Sequence, residues 1–222
     1  RAFERAREIP EFGVACAFLT LVILFTALNP VFFTWRNLTG VFTIVSELGM
    51  ETIGETFLII SGEFDLSVGS VYAFSGFVFA RMAEFIPSPV AFVLTLIIAS
   101  GIGFLNSQIT LRFGIPSFIA TLGSMWFFRG IMIAVTGGAT VTYKGDTIIP
   151  TLLSSPIGLV RPSHIWFIAL AVAFSFLLTR TTYGNWVFAT GGAREVARAL
   201  GVPVTRVKTV NFMLCSMTAS IA

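Results

Sequence analysis

Charge is scarce in this chain: Asp, Glu, Lys and Arg make up 11% of its 222 residues, against about 25% in ordinary soluble domains. A water-soluble fold with so little charge would expose far too much apolar surface, so the composition excludes that class and makes the solvent a bilayer. Histidine occurs once, at His164, and cysteine twice, at Cys16 and Cys215. Metal sites need several convergent ligands, and two cysteines far apart inside apolar runs read as small hydrophobes, not as a disulfide framework. There is no His-Glu-x-x-His pair and no Gly-x-x-x-x-Gly-Lys-Ser/Thr phosphate loop. The chain therefore has neither of the motifs that would mark metalloprotease chemistry or nucleotide hydrolysis. A net charge of +3 says little for a nucleic-acid partner. Residues 1–30 lack a small-residue cleavage pattern and do not read as a removable signal peptide.

What is present is a series of apolar runs near the ~20 residues needed to cross a membrane. They fall at 12–29, 38–61, 66–83, 90–111, 116–136 and 163–180, and a seventh begins near Thr209 and is cut by the end of the chain at Ala222. The expected fold is an all-α polytopic membrane protein: one transmembrane domain over 1–222, with seven spans, the last truncated. Lys and Arg set the orientation. Arg1, Arg5, Arg7, Arg112, Arg180, Arg194, Arg198, Arg206 and Lys208 fall on one side, and Arg36, Lys144 and Arg161 on the other, with Arg81 near that outer end. The N-terminus and the loop 181–208 are thus expected in the cytoplasm. The outer loop 137–162, rich in Gly, Thr and Pro, is expected to form a turn and a short surface segment.

One stretch interrupts the oil: "GGAREVARALGVP" at 191–203. Ala193, Val196, Ala197 and Leu200 follow the i, i+3, i+4, i+7 spacing of one helix face, and Arg194, Glu195 and Arg198 take the rest of the circumference. Gly201 can end the helix in a left-handed conformation, and Pro203 prevents its resumption. Two turns are too short to stand alone, so the helix must dock. Either it lies on the inner leaflet with its arginines at the phosphates, or it seats a cytoplasmic protein and swings on Gly191 and Gly192.

Other polar residues stand out within the runs. Glu47, Glu51 and Glu55, four apart, share one side of the second span, and carboxylates at bilayer depth face a cavity or a partner. They line a solute path, or Glu47 sits near the outer interface while Glu55 pairs with a cation such as Arg129. Asn106, with Ser107, Gln108 and Thr110, lines the path or bonds between helices. Asp65 either caps the third span or contacts a partner or has a gating role, and Gly62 and Gly69 permit a tight turn and close packing beside it. Trp126, Phe127, Phe128 and Trp166 read as interface anchors or stacking surfaces.

Three blocks carry a family resemblance. "TRTTYGNWVFATGGAREVARALGVPVTRVK" (179–208), "GEFDLSVGSVYAFSG" (62–76) and "IPSFIATLGSMWFFRGIMIAVTGG" (115–138) resemble, in order, the blocks of ribose-type sugar-importer permeases of the ATP-binding-cassette (ABC) superfamily. Glu63, Phe64, Ala193 and Val196 depart from that pattern, and Glu63 sets a second acid beside Asp65. The resemblance implies a non-enzymatic membrane subunit of about ten helices, multi-pass in a bacterial inner membrane and paired with a second permease copy. It implies a separate cytoplasmic ATPase holding ATP and Mg and an extracytoplasmic sugar-binding protein. Its coupling segment falls on Gly191, Gly192, Arg194, Glu195, Ala197, Arg198 and Gly201, and its signature loop on Gly62, Asp65, Ser67 and Gly69. The competing expectation is an ion-gradient-driven secondary transporter or channel using Glu47, Glu51 and Glu55.

Overall fold

The computed structural model describes residues 12–155 and 160–222; Arg1, Arg5 and Arg7, on which part of the orientation rests, lie outside them. Two compact units, Arg1–Ile44 and Val45–Ala222, divide the chain. In the first, α1 (Phe12–Leu28) has no buried residue. Its chain then turns at Asn29, whose side-chain oxygen accepts the Val31 N–H, and the amide of Asn37 donates to the Phe32 carbonyl at 2.7 Å. The next helix, α2, runs Trp35–Ile60.

The second unit adds α3 (Val68–Met82), α4 (Ser88–Phe113), α5 (Ser117–Thr136), α6 (Ile148–Leu153), α7 (Pro162–Arg180), α8 (Thr182–Gly192), α9 (Arg194–Ala199) and α10 (Val204–Ile221). The expected spans fall on helices. The last begins at Val204 and not near Thr209, and the outer-loop segment is the short helix α6. No apolar run announced α8. Among the described residues, α4, α5 and α7 are long and apolar enough to cross a membrane. The shorter α1 and α3 are apolar, whereas α2 carries three glutamates and α10 carries Arg206 and Lys208.

Burial follows the rule of a bilayer solvent. Ser61, Ser67, Asn106, Ser107, Thr121 and Asn211 are buried, while Leu105, Phe127, Val172 and Phe176 face outward. In water that pattern would be inverted. In lipid, where tails compete equally for apolar surface, helices associate through small residues and hydrogen bonds. Helix α10 is the centre, packed on α4, α3 and α8. A Cβ at Gly103 would lie 2.3 Å from the Phe212 carbonyl oxygen, and one at Gly54 would lie 2.5 Å from the Cys215 Cα. These glycines let α4 and α2 approach the α10 backbone. The fold is an all-helical, polytopic membrane protein.

Within the second unit the helices alternate between two ends. At one lie 61–67, 114–116 and 181–203, joined where the Phe64 N–H meets the Ser117 hydroxyl and Gly191 meets the end of α2. At the other lie 83–88 and 137–155, tied by Asp146. Its carboxylate accepts the Ser88 N–H at 2.7 Å, the Ser88 hydroxyl and the Ile148 N–H. The Ser88 hydroxyl bond, followed by the two backbone N–H bonds, holds the Asp146 carboxyl below its ordinary value.

Candidate functional site

The chain between α2 and α3 dips into the bundle. Helix α2 ends in a Schellman turn: Gly62, at φ +80°, donates to the Ile59 carbonyl, and Glu63 donates to that of Leu58. Every following N–H finds a side chain. Phe64 donates to Ser117 Oγ (3.2 Å), Asp65 to Glu55 Oε1 (3.0 Å), Leu66 to Thr121 Oγ1 (2.9 Å) and Ser67 to Asp65 Oδ1 (2.7 Å). Complete pairing of this kind is the condition for irregular backbone at membrane depth. Counting 1.5 Å per residue from the helix ends, Thr121, Glu55 and Asn106 place these acceptors and their neighbours about 6–10 Å inside the bundle. Helix α3, 15 residues long, rises only about 22 Å, less than the ~30 Å hydrocarbon core; it begins at depth.

Asp65 is 4% exposed. It sits two positions before the N-cap Ser67, which makes no side-chain capping bond, and instead accepts both the N–H and the hydroxyl of Ser67. The expected helix-capping role is thus replaced by an Asx turn, and the carboxylate is closed off from any surface contact. Asn106 donates to Ser67 Oγ at 3.0 Å, with a longer 3.5 Å contact to Asp65. Glu55, already holding the Asp65 N–H, accepts from the Cys215 thiol at 3.2 Å. Glu55 and Asn106 therefore serve this node.

Three further bonds fasten the loop, α8 and the end of α2 to α10. Glu63 meets Lys208 at 2.6 Å, with the side chains 12% and 6% exposed. Tyr183 donates to Asn211, which in turn donates to the Phe57 carbonyl. Sequence reasoning missed the Glu63–Lys208 pair. Its signal was present as an acid replacing a motif glycine and a lysine, beside Arg206, in the first turns of α10.

Glu47 and Glu51 stand half-buried on the same helix as Glu55. Arg129 pairs with none of them, contrary to the expectation. Its guanidinium lies 5.8 Å over the Trp126 ring on α5, since Glu55 is already occupied by a backbone N–H and a thiol. Trp166 donates to the Leu152 carbonyl, tying α7 to α6. Among the described residues no three His, Cys, Asp or Glu side chains group to hold a metal.

The short helix forms as the spacing predicts, over Arg194–Ala199. Gly201, at φ +83°, donates to the Arg198 carbonyl and Val202 to that of Ala197, a second Schellman turn. Its face divides: Ala197 is 2% exposed, but Val196 is 59% and Leu200 79% exposed. Arg198 and Glu195 pair at 3.4 Å in solvent. Gly191 and Gly192 are not a loose hinge; they are the last residues of α8. A Cβ on Gly191 would lie 1.7 Å from the Ile60 carbonyl oxygen, while Gly192 faces open space. Helix α8 is wedged on α2, and Ala193, at φ −152° and ψ 85°, makes the corner into α9.

Residues 37–222 match the family model described as branched-chain amino acid transport system / permease component. Three curated proteins of this kind are similar. The L-arabinose transport system permease protein AraH of Escherichia coli is 31% identical, covering 100% of this chain and 67% of its own length. The ribose import permease protein RbsC of Escherichia coli is 30% identical, with 93% and 65% covered. The autoinducer 2 import system permease protein LsrC of Salmonella paratyphi B is 33% identical, with 94% and 61% covered. The chain thus spans about two thirds of the length of these relatives. No solved structure matches it. The three sequence blocks, the all-helical bundle and these matches agree: this chain belongs to the ABC-importer permease family, with the arabinose and ribose permeases among its relatives.

Proposed function

We propose that the chain is part of the transmembrane subunit of an ATP-driven importer for a monosaccharide, and that α9 is where a separate ATPase docks. The whole subunit has about ten helices by family analogy, of which α1, α2, α3, α4, α5, α7 and α10 are spans in this chain. Two copies work together, fed by an extracytoplasmic sugar-binding protein, and ATP and Mg belong to the ATPase. The N-terminus and the 181–208 end face the cytoplasm of a bacterial inner membrane. What supports the orientation is the gathering of Arg112, Arg180, Arg194, Arg198, Arg206 and Lys208 at that end.

The observation that carries the reading is α9 itself: a two-turn helix anchored by Ala197 that turns Val196 and Leu200 away from its own chain. Exposed apolar side chains flanked by Arg194, Glu195 and Arg198 suit a protein partner with an apolar pocket and a polar rim. Closure of the ATPase would press α9. The second Schellman turn and Pro203 would pass that motion into α10, and Lys208 would draw on Glu63 and the 61–67 loop. Rigid helices then switch the subunit between outward-open and inward-open states. Glu47 and Glu51, with Glu55 and Asn106 toward the 61–67 end, are candidates to border the path.

Purification of the tagged subunit from its native membrane tests this. An ATPase accompanies it, and replacement of Glu195, Arg198 and Leu200 together releases that ATPase. With the ATPase retained, ATP drives uptake of L-arabinose or D-ribose in proteoliposomes; in the triple variant it does not. Uptake that needs no ATPase and collapses with the proton gradient would establish the secondary-transporter reading instead.

A further inference from the structure

Arg81–Glu84 and Glu195–Arg198 are local ion pairs, three residues apart, each with an exposed member. Glu63–Lys208 is of another kind. It joins positions 145 residues apart, and its side chains are 12% and 6% exposed. Glu63 also departs from the sequence motif, whose glycine at that place offers no carboxylate, so the pair belongs to this chain. The backbone there does not ask for glycine: Gly62 takes the left-handed turn, and among the described residues none but glycine has a positive φ.

A buried ion pair is a poor stabiliser. The desolvation of both charges roughly cancels their attraction, and well-packed apolar residues in its place are often neutral or better. What such a pair supplies is register, because an apolar contact tolerates sliding and opposite charges held at 2.6 Å do not. Sliding is the hazard along α10. It meets α4 and α2 over Gly103 and Gly54, and Ala219 packs in one cluster with Ala99. Small residues bring backbones close but present no side chain to stop a shift of ~1–2 Å, the usual size of helix displacements.

Asn211 and Cys215 hold α10 to α2, at the Phe57 carbonyl and at Glu55. Among the described residues, only Lys208 makes a hydrogen bond or ion pair from α10 to the 61–67 loop itself. Much depends on that loop. Its N–H groups sit on Ser117 and Thr121 of α5 and on Glu55 of α2, Asn106 of α4 reaches Ser67, and Ser67 begins α3. On the other side, the Val202 N–H donates to the Ala197 carbonyl, the Val204 N–H to that of Val202 and the Val207 N–H to that of Pro203. Helices α9 and α10 are thus bonded into one lever, and Lys208 is where that lever meets the loop.

We propose that Glu63 and Lys208 are positioning residues of the transport cycle: their pair keeps α10 in register with the 61–67 loop, so that displacement entering at α9 reaches α3 and α5 without slip. This rests on the importer reading and adds to it the contact that sets how much solute moves per ATP.

The test compares solute imported per ATP hydrolysed in proteoliposomes holding the complete importer, with L-arabinose and D-ribose as the probes. The ratio is taken on assembled complexes, so a loss of stability alone does not move it. Glu63→Gln with Lys208→Met strands neither charge but removes the register. Its ratio is expected to fall about fivefold or more, the lower end of ordinary coupling between distant sites. The charge-swapped chain, Glu63→Lys with Lys208→Glu, rebuilds the pair and is expected to recover most of the ratio. An unchanged ratio in the double-neutral chain would overturn the role, and so would a swapped chain that assembles and hydrolyses ATP yet stays uncoupled. If no ATPase drives uptake through the wild-type chain, the importer reading falls and this role with it. If the wild type is coupled and the double-neutral chain equally so, the importer reading stands and this role alone falls.

Discussion

The Glu63–Lys208 pair makes the sharpest stability prediction. It joins the buried loop to the first turns of α10 across 2.6 Å, with the two side chains 12% and 6% exposed. Exposed ion pairs contribute about 0–1 kcal/mol, but that scale describes solvated charges. Taking away one member of a buried pair strands the other, at about 3–5 kcal/mol. Lys208→Met leaves a buried carboxylate without its cation; Glu63→Gln leaves an ammonium without its anion. The joint replacement strands neither, so its cost falls below the sum of the single costs by about 2 kcal/mol or more, within the range seen for contacting residues. Unfolding of the purified protein by SDS in mixed micelles, followed by tryptophan fluorescence, measures all corners of the cycle. Single losses under about 1 kcal/mol, or a double loss equal to the sum within about 0.5 kcal/mol, would refute the reasoning.

Other predictions follow from the same contacts. Gly191→Ala drives a Cβ to within 1.7 Å of the Ile60 carbonyl oxygen and should destabilise by about 1–3 kcal/mol, as overpacking does, while Gly192→Ala, in open space, should not; equal effects would remove the wedge. Asp65→Ala leaves the Ser67 N–H and hydroxyl without their acceptor and should cost about 1–3 kcal/mol, most of it recovered by Asp65→Asn, which keeps an acceptor oxygen. At the other end, the Asp146 carboxyl is held below its ordinary 3.8 by the Ser88 hydroxyl first, then by backbone N–H groups. Its contribution is therefore complete above pH ~4 and is lost only as pH falls through the lowered value. Hydrogen exchange at the Ser88 and Ile148 amides should show protection constant from neutral pH to pH 4 and failing below it. In Ser88→Ala the Ile148 protection should fail at a higher pH; an unchanged profile would deny the anchor.

The helices were legible because apolar runs near membrane length leave few alternatives, and the stop at Gly201–Pro203 was legible because only a left-handed residue closes a Schellman turn cheaply. Helix α8 was not. "TYGNWVFATGG" carries two glycines at its end and no clean period, and it is held by packing against α2 and α10. The four-residue spacing of Glu47, Glu51 and Glu55 could be read directly, but the partners of Glu55 could not. One is a backbone N–H 10 residues on, and the other is a thiol 160 residues on, and only the dip of the loop brings them together. The same dip explains why Asp65 is not the helix cap it resembled and why Arg129 is left without a carboxylate. Glu63 showed itself as a departure from a motif, yet its cation lies 145 residues away.

The central claim is that α9 stands at the cytoplasmic surface as the seat of an ATPase, and the accessibility of Leu200→Cys tests it most directly. The account predicts reaction with an impermeant thiol reagent in inside-out vesicles stripped of peripheral proteins, none in intact cells, and protection once the ATPase is restored. Labelling from outside intact cells, or no protection by the ATPase, would contradict it.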